Sequence, residues 1–320
     1  MPTYNTGINR GDPPYGTDPI VPEPLSADII QELPETSTVM RMARKVPMST
    51  RTQRMTVLDT LPVAYFVSGD SGLKQTTNME WAQVSLVVEE IAAIVPIPDA
   101  YIDDAHIPIW SEVRPRMVEA IAKKIDAACL FGVNKPSTWS PALVPAAIAA
   151  GNTVQANNQD LPLSIAELAE KVSLDGYTEI NGWAVQPGFK WRLLRVRAQD
   201  SGVPIYEPNL QSGRGGSLYG YPMDEVRNGA WDASQAALLL GDWNKAIIGT
   251  RQDITFKMFD QGVINDDEGV VVWNAMQQDG QAMRVVIRLA WATVNPLTAL
   301  NDNDATRFPF GVLTAGSASS

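Results

Sequence analysis

Apolar and polar positions alternate most regularly late in the chain. Between Gln281 and Val294, the side chains of Met283, Val285, Ile287, Leu289 and Trp291 fall on one side. A period of two predicts a long strand with one buried face. A different period links Val113, Met117, Ile121, Ile125 and Ala128, while Arg116, Glu119, Lys123 and Lys124 lie elsewhere. Three- and four-residue spacing predicts a long helix with one apolar stripe, and Gly132 is a natural stop. Pro115 should either begin the regular helix or kink it.

Two further runs, 54–67 and 81–97, are rich in β-branched and aromatic residues. The polar, Gly-containing segment SGDSGLKQTTNME separates them. Two strands around such a tip predict a long β-hairpin over 54–97. Its second run alternates only in part, as expected of a ribbon not buried on both faces.

The rest of the pattern is mixed. Residues 1–24 are rich in Pro and Gly and poor in large apolar side chains, which predicts an extended arm. Ser26 is placed to cap a helix, 35–40 suggests a short helical turn, and Val46-Pro47-Met48 suggests a strand start. Residues 134–162 read as a loop-rich connection. Ser164 and Glu167 have capping-box spacing for a helix over 164–174. Gly182–Val185 reads as a strand, and Pro187–Ala198 as a helix with Trp191, Leu194 and Val196 partly buried. Residues 211–220 read as a Gly/Ser-rich loop, and 236–241, 246–250 and 254–259 as strands. Residues 301–320 read as a polar tail with a disordered end.

Composition narrows the function. The 320 residues suggest two structural lobes. No apolar run approaches the roughly 20 residues that span a bilayer, and the first residues lack the basic start and apolar core of a secretory signal. A cytoplasmic origin is the expectation. The net charge of −11 opposes contact with phosphate backbones, so direct nucleic-acid binding is not expected unless a local basic patch overrides the total. One cysteine, Cys129, and one histidine, His106, exclude an internal disulfide, a Cys-based zinc site and a multi-His metal site.

Each candidate chemical motif has a plainer reading. Gly69-Asp70-Ser71-Gly72 matches the tetrapeptide around the nucleophile of chymotrypsin-like proteases. Such chemistry needs His and Asp partners and an oxyanion hole. Here the sole histidine follows the serine, and Leu73 replaces the next glycine. The stretch is read as turn chemistry. Gly213-Arg214-Gly215-Gly216 lacks the Lys-Ser/Thr of a phosphate loop. Asp266-Asp267-Glu268 lacks EF-hand spacing and is read as a solvated turn. Cys129, among Ala127, Ala128, Leu130 and Phe131, is read as a buried small hydrophobe. No catalytic, cofactor-binding or metal-ligating residue is therefore expected.

The order of these features resembles the major capsid proteins of tailed bacteriophages. Leu25–Ile30, Ser37–Ala43 and Val46–Met48 resemble the family's opening segment. Ala64-Tyr65-Phe66-Val67 with Gly69-Asp70 resembles its approach to an extended loop, and Trp81 with Val84-Ser85-Leu86 its return strand. Ile97–Asp104 resembles the stretch before the family's spine helix, and Ile125–Ala128 with Phe131-Gly132 the end of that helix. Trp183–Pro187, Leu218–Met223 and Gly241-Asp242-Trp243 resemble axial-domain motifs. Arg284–Pro296 resembles the last long strand of the peripheral domain.

The resemblance implies an α+β fold. Its parts would be an N-terminal arm at 1–24, the start of the peripheral domain at 25–53, and an extended-loop hairpin at 54–97. A peripheral domain with spine helix would follow at 98–162, then a mixed α/β axial domain at 163–260. A return to the peripheral domain at 261–300 and a tail at 301–320 would complete it. It implies hexamers and pentamers of the chain itself, closing into an icosahedral shell around DNA that is enclosed without specific binding. Scaffolding from a separate protein, or from a segment removed before residue 1, a portal and a decoration protein are the implied partners. No cofactor and no membrane are implied. The contact residues expected near the loop tip are Asp70, Ser71, Lys74 and Trp81.

Some relatives weld neighbouring subunits by an isopeptide bond between a loop Lys and an Asn, with a buried Glu as base. Lys74 stands as the only donor in the hairpin. Alignment on Arg288-Leu289-Ala290 puts Asp279 in place of the Asn and Val286 in place of the Glu, so no covalent weld is expected. The alternative with the same fold is an encapsulin-type bacterial compartment.

Overall fold

The computed structural model describes residues 36–62, 64, 74, 76–77, 79–105, 107–157, 160–177, 179–194 and 216–315. The arm 1–24, the helix after Ser26, residues 195–198 of the expected second-half helix and the end of the tail lie outside the described residues.

The alternating run is β13 (Gly280–Thr293), the central strand of a four-stranded sheet. It pairs antiparallel with β10 (Ala246–Phe259) and with β4 (Glu89–Pro98), and β1 (Arg44–Pro47) joins β10 in parallel. All five alternating side chains of β13 are fully buried. They share one core with Met117, Ile121 and Ile125 of α3 (Ile109–Asp126), the long helix anticipated from its stripe. Pro115 neither begins nor ends α3. Beyond Asp126 the chain makes a π-helical turn, Ala127–Phe131, which Gly132 ends at φ 77°, a conformation that suits glycine.

The projecting ribbon consists of β2 (Thr52–Thr60) and β3 (Glu80–Val87), with Leu58 opposite Trp81 and Thr52 opposite Val87. The run 81–97 is therefore two strands rather than one arm of the hairpin. It changes sheets at Val88, and β4 belongs to the four-stranded sheet. Burial explains the division. Leu86 and Val88 pack with Met48 against Ile247, Ala290 and Ala292 on the sheet face opposite α3. Only the ribbon beyond this root is free to project. Gly249 permits the close approach, because a Cβ there would overlap the Met48 sulfur.

A second sheet has six strands in the order β5 (Thr153–Gln155), β14 (Phe310–Thr314), β9 (Leu238–Gly241), β6 (Gly182–Val185), β8 (Tyr221–Glu225) and β7 (Ser217–Leu218). Trp183, Val185, Leu238, Leu240 and Leu313 pack beneath α5 (Leu161–Leu174). Ala184, Leu239, Phe310 and Val312 turn the other way and join the core under α3. A strand buried on both faces reads as an unbroken apolar run, as in Ala236–Leu240. The remaining elements are α1 (Thr38–Met42), α2 (Asp99–Asp103), the hairpin β11 (Val263–Asn265) and β12 (Val271–Asn274), and α7 (Ala275–Gln278).

Several expectations need correction. Within 134–162 lie α4 (Leu143–Ala150) and β5. Pro145 sits in the first turn of α4, where its missing N–H costs nothing. The cap of α5 is Asp160, whose carboxylate accepts from the Leu163 amide at 3.3 Å; the Ser164 hydroxyl donates back to Asp160 O at 3.2 Å. The segments 246–250 and 254–259 form one strand with register shifts between Thr250 and Thr255, so the polar break is a bulge and not an end. In α6 (Phe189–Leu194), Phe189 and Leu193 are buried at four-residue spacing while Trp191 is 68% exposed. The C-terminal residues 310–314 are no tail: they form β14, inside a sheet.

Candidate subunit-contact surfaces

Beyond its root, the β2–β3 ribbon keeps Val57 buried and the Leu58 carbonyl accepts the Leu297 amide at 3.1 Å, while its other side chains are exposed or half-buried. Trp81 is 60% exposed, Met79 is also exposed, and so is Lys74. Asp70 and Ser71 lie outside the described residues, as do His106 and Arg214. The protease-like reading of Ser71 and His106 therefore falls outside the described residues.

The two positions aligned with the weld chemistry differ in setting. Val286 lies mid-strand on β13, between Thr255 and Ala92, and carries no proton-accepting atom. Asp279 is exposed at φ 44° just after α7, and its carbonyl accepts from the Asp99 amide at 2.9 Å. Its carboxylate is a poorer electrophile than an amide carbon.

The strongest polar anchor is one the sequence reading did not single out. Asp126, fully buried at the end of α3, accepts the Ser37 hydroxyl at 2.5 Å and the Thr38 and Val39 amides at 2.9 and 3.0 Å. The Asn228 side-chain amide donates to it at 2.7 Å. The carboxylate thus serves orphan amides of the first turn of α1 from a distant part of the chain. Burial pushes its carboxyl above the ordinary value, and the hydrogen bonds from Ser37, Val39, Thr38 and Asn228 pull it back in part. Arg41 of α1 also pairs with Asp224 of β8. The chain that follows the first 35 residues is therefore fastened to the end of α3 and to the six-stranded sheet. Only the unusual Asp between Ile125 and Ala127, on an apolar stripe, signals this in the sequence.

A second network fixes the crossing from β13 to β14. Asp175 accepts from Asn152 and Asn301 side chains, each at 2.7 Å, and its carbonyl accepts the Thr298 hydroxyl at 2.5 Å. Arg307, only 2% exposed, donates to Asp304 at 3.1 Å and to the Asn301 carbonyl at 3.1 Å. Burial drives the Tyr177 hydroxyl well above its ordinary value, while it donates toward Asn295 and Pro296.

Cys129 is fully buried in the π-helical turn, and burial first, then nearby Asp126, pushes its thiol well up. It packs as a small hydrophobe. Asp266 closes the β11–β12 turn by accepting from the Glu268 and Val270 amides at 3.0 and 2.8 Å, which is the solvated turn expected. Among the described residues no group of three or more metal-ligating side chains occurs, and no helix is long and apolar enough to cross a membrane.

A helix-backed sheet, a ribbon projecting from its far face and a second sheet covered on both sides define the shell-subunit class of fold. Chains of known structure with this fold include one from Mycobacterium phage Cain, 34% identical and covering 94% of this chain and 97% of that one, with a TM-score of 0.81. Another, from Microbacterium phage Oxtober96, is 34% identical over 92% and 96%, also at 0.81. The major capsid protein of Staphylococcus phage 80alpha is 24% identical over 272 residues, 83% of this chain and 79% of that protein. The profile of the phage capsid family matches residues 18–298, and the chain belongs to that family.

Proposed function

We propose that this chain is the major capsid protein of a tailed bacteriophage, the repeating subunit of its shell. The observation that carries the reading is the family match over residues 18–298 on a fold shared with phage chains at TM-score 0.81. The subunits assemble as hexamers and pentamers and close into an icosahedral virion shell around double-stranded DNA. Its work is geometric rather than catalytic. The β2–β3 ribbon, with exposed Trp81, Met79 and Lys74, overlaps a neighbouring subunit, and the arm 1–24 runs along another. The four-stranded sheet with α3 serves as the peripheral domain and the six-stranded sheet as the axial domain, so β10, within the axial stretch expected at 163–260, counts with the peripheral domain, and β14, within the expected tail 301–320, with the axial one. Each contact is modest, and many per subunit give a durable lattice.

A net charge of −11 supports a lumen that does not hold packaged DNA by specific contacts. Assembly takes place in the bacterial cytoplasm, with a separate scaffolding protein and a portal as partners and a decoration protein on the finished shell. The test is to produce the chain in bacteria, alone and with the proteins encoded beside it, and image the products by electron microscopy. Closed shells support the reading; a stable monomer under every condition contradicts it.

A further inference from the structure

The hairpin β11–β12 exposes more apolar surface than its size explains. Val263, Val270, Val271 and Val272 are 53–61% exposed, and Met276, just beyond it, is 85% exposed. The two strands form a sheet of their own, with no third strand on either edge among the described residues. Isolated two-stranded ribbons are marginal in water, and a contiguous exposed apolar patch marks an interaction site. The tip is acidic: Asp267 and Glu268 are exposed, with Asp260 at the base.

A complementary surface lies elsewhere on the same chain. Arg44 and Lys45 of β1, with Arg51 and Arg54 at the root of the β2–β3 ribbon, are all exposed. None of these four forms an ion pair among the described residues, and neither do Asp267 and Glu268. In a chain of net charge −11, four unpaired cations within the short stretch 44–54 are a specific feature. The aliphatic stems of Lys45, Arg51 and Arg54 can also cover apolar surface.

One copy cannot join these two surfaces. Lys45 sits opposite Ile248, and the hairpin leaves β10 at Phe259, about 35 Å further on at ~3.3 Å per residue. The hairpin reaches only about 15 Å from its base, where the Ala275 amide bonds Gly262 O at 3.0 Å, to its turn.

We infer that the acid-tipped β11–β12 hairpin of one subunit docks head to tail on the basic root, Arg44, Lys45, Arg51 and Arg54, of a second copy. Complementary charge fixes the orientation, and the valine face supplies the buried area. Two different patches make the contact heterologous, so it propagates from copy to copy instead of ending at a dimer. The inference rests on the shell-subunit reading above and names one of that shell's contacts.

Charge reversal tests it in the full chain. One variant carries D267K and E268K, a second carries R51E and R54E, and a third combines all four. Asp266 is left intact because it closes the turn. All four changed side chains are exposed, so melting temperatures should match wild type. Assembly is followed by light scattering and sedimentation. Each two-site variant should raise the critical concentration for shells by about tenfold or more, and the four-site variant should recover most of the loss. Two-site variants that assemble like wild type overturn the contact. A four-site variant as defective as its parents overturns this pairing of surfaces. Failure of the wild-type chain to assemble would instead count against the shell-subunit reading itself.

Discussion

Asp126 accepts a hydrogen bond from the Val39 amide at 3.0 Å, across 87 residues of sequence. The same carboxylate serves Thr38, Ser37 and Asn228, so one side chain fastens the start of α1 to the end of α3 and to the segment after β8. Replacing Asp126 with Ala leaves several buried donors without an acceptor. The expected loss is about 3 kcal/mol or more, against about 1 kcal/mol for Ser37→Ala. Urea denaturation of unassembled subunits measures both, and equal small losses would show that the anchor is not shared as described.

Gly249 decides whether the ribbon root can close on the sheet. A methyl group there would overlap the Met48 sulfur and crowd Ala290 Cβ at 3.2 Å. Gly249→Ala should cost about 1–3 kcal/mol through overpacking. It should also speed proteolytic cutting near Leu86 and Val88, whose packing depends on Met48. An unchanged melting temperature and cleavage pattern would place the root elsewhere.

Much of this frame could be read from the sequence, for a physical reason. β13 alternates because the α3 side of the sheet is apolar along its whole length, and α3 shows a stripe because one side meets that sheet. Where two faces are both covered, as at Ala236–Leu240, an apolar run still marks the strand. The failures have equally definite causes. The run 81–97 is continuous in composition, yet it divides at Val88 because its halves pair with different strands, a long-range choice that no local pattern records. β14 is only five residues long and sits among polar and small residues, although Phe310 and Val312 are fully buried. Trp191 reads as core on apolarity alone, but the helix turns Phe189 and Leu193 inward. Of the expected contact residues, Trp81 and Lys74 are placed on the exposed ribbon, while Asp70 and Ser71 lie outside the described residues. The role of Asp126 is hidden because its partners are 87 to 102 residues away in sequence.

Asp232 gives a test in acid. The Ser234 hydroxyl at 2.6 Å, the Gln235 side-chain amide at 2.7 Å and the Ser234 amide at 2.9 Å hold its carboxyl below the usual 3.8. A lowered folded value means the folded form binds the proton less readily than the unfolded chain. The stabilisation is therefore complete above 3.8 and is lost as pH falls through the folded value. Water screens this exposed turn, so the effect is small. The stability gap between wild type and Asp232→Asn should narrow between pH 5 and pH 2.5, and a gap that widens in acid would contradict the assignment.

The finished shell should carry no covalent weld. Lys74 is available on the ribbon, but Asp279 offers a carboxylate where an amide is needed, and Val286 offers no base. Particles boiled in SDS with reductant should run as one band near 34.8 kDa, and Lys74→Arg should change nothing. A ladder of oligomers that vanishes in Lys74→Arg would refute this.

This chain is expected to build a closed shell by contacts between its own copies. Electron microscopy of the purified wild-type chain, with analytical ultracentrifugation on the same samples over a range of salt and protein concentrations, measures it directly. The expected result is rings of five and six subunits that close into uniform icosahedral particles. A single monomeric species that persists at high concentration in every salt, with or without the neighbouring phage proteins, would contradict it.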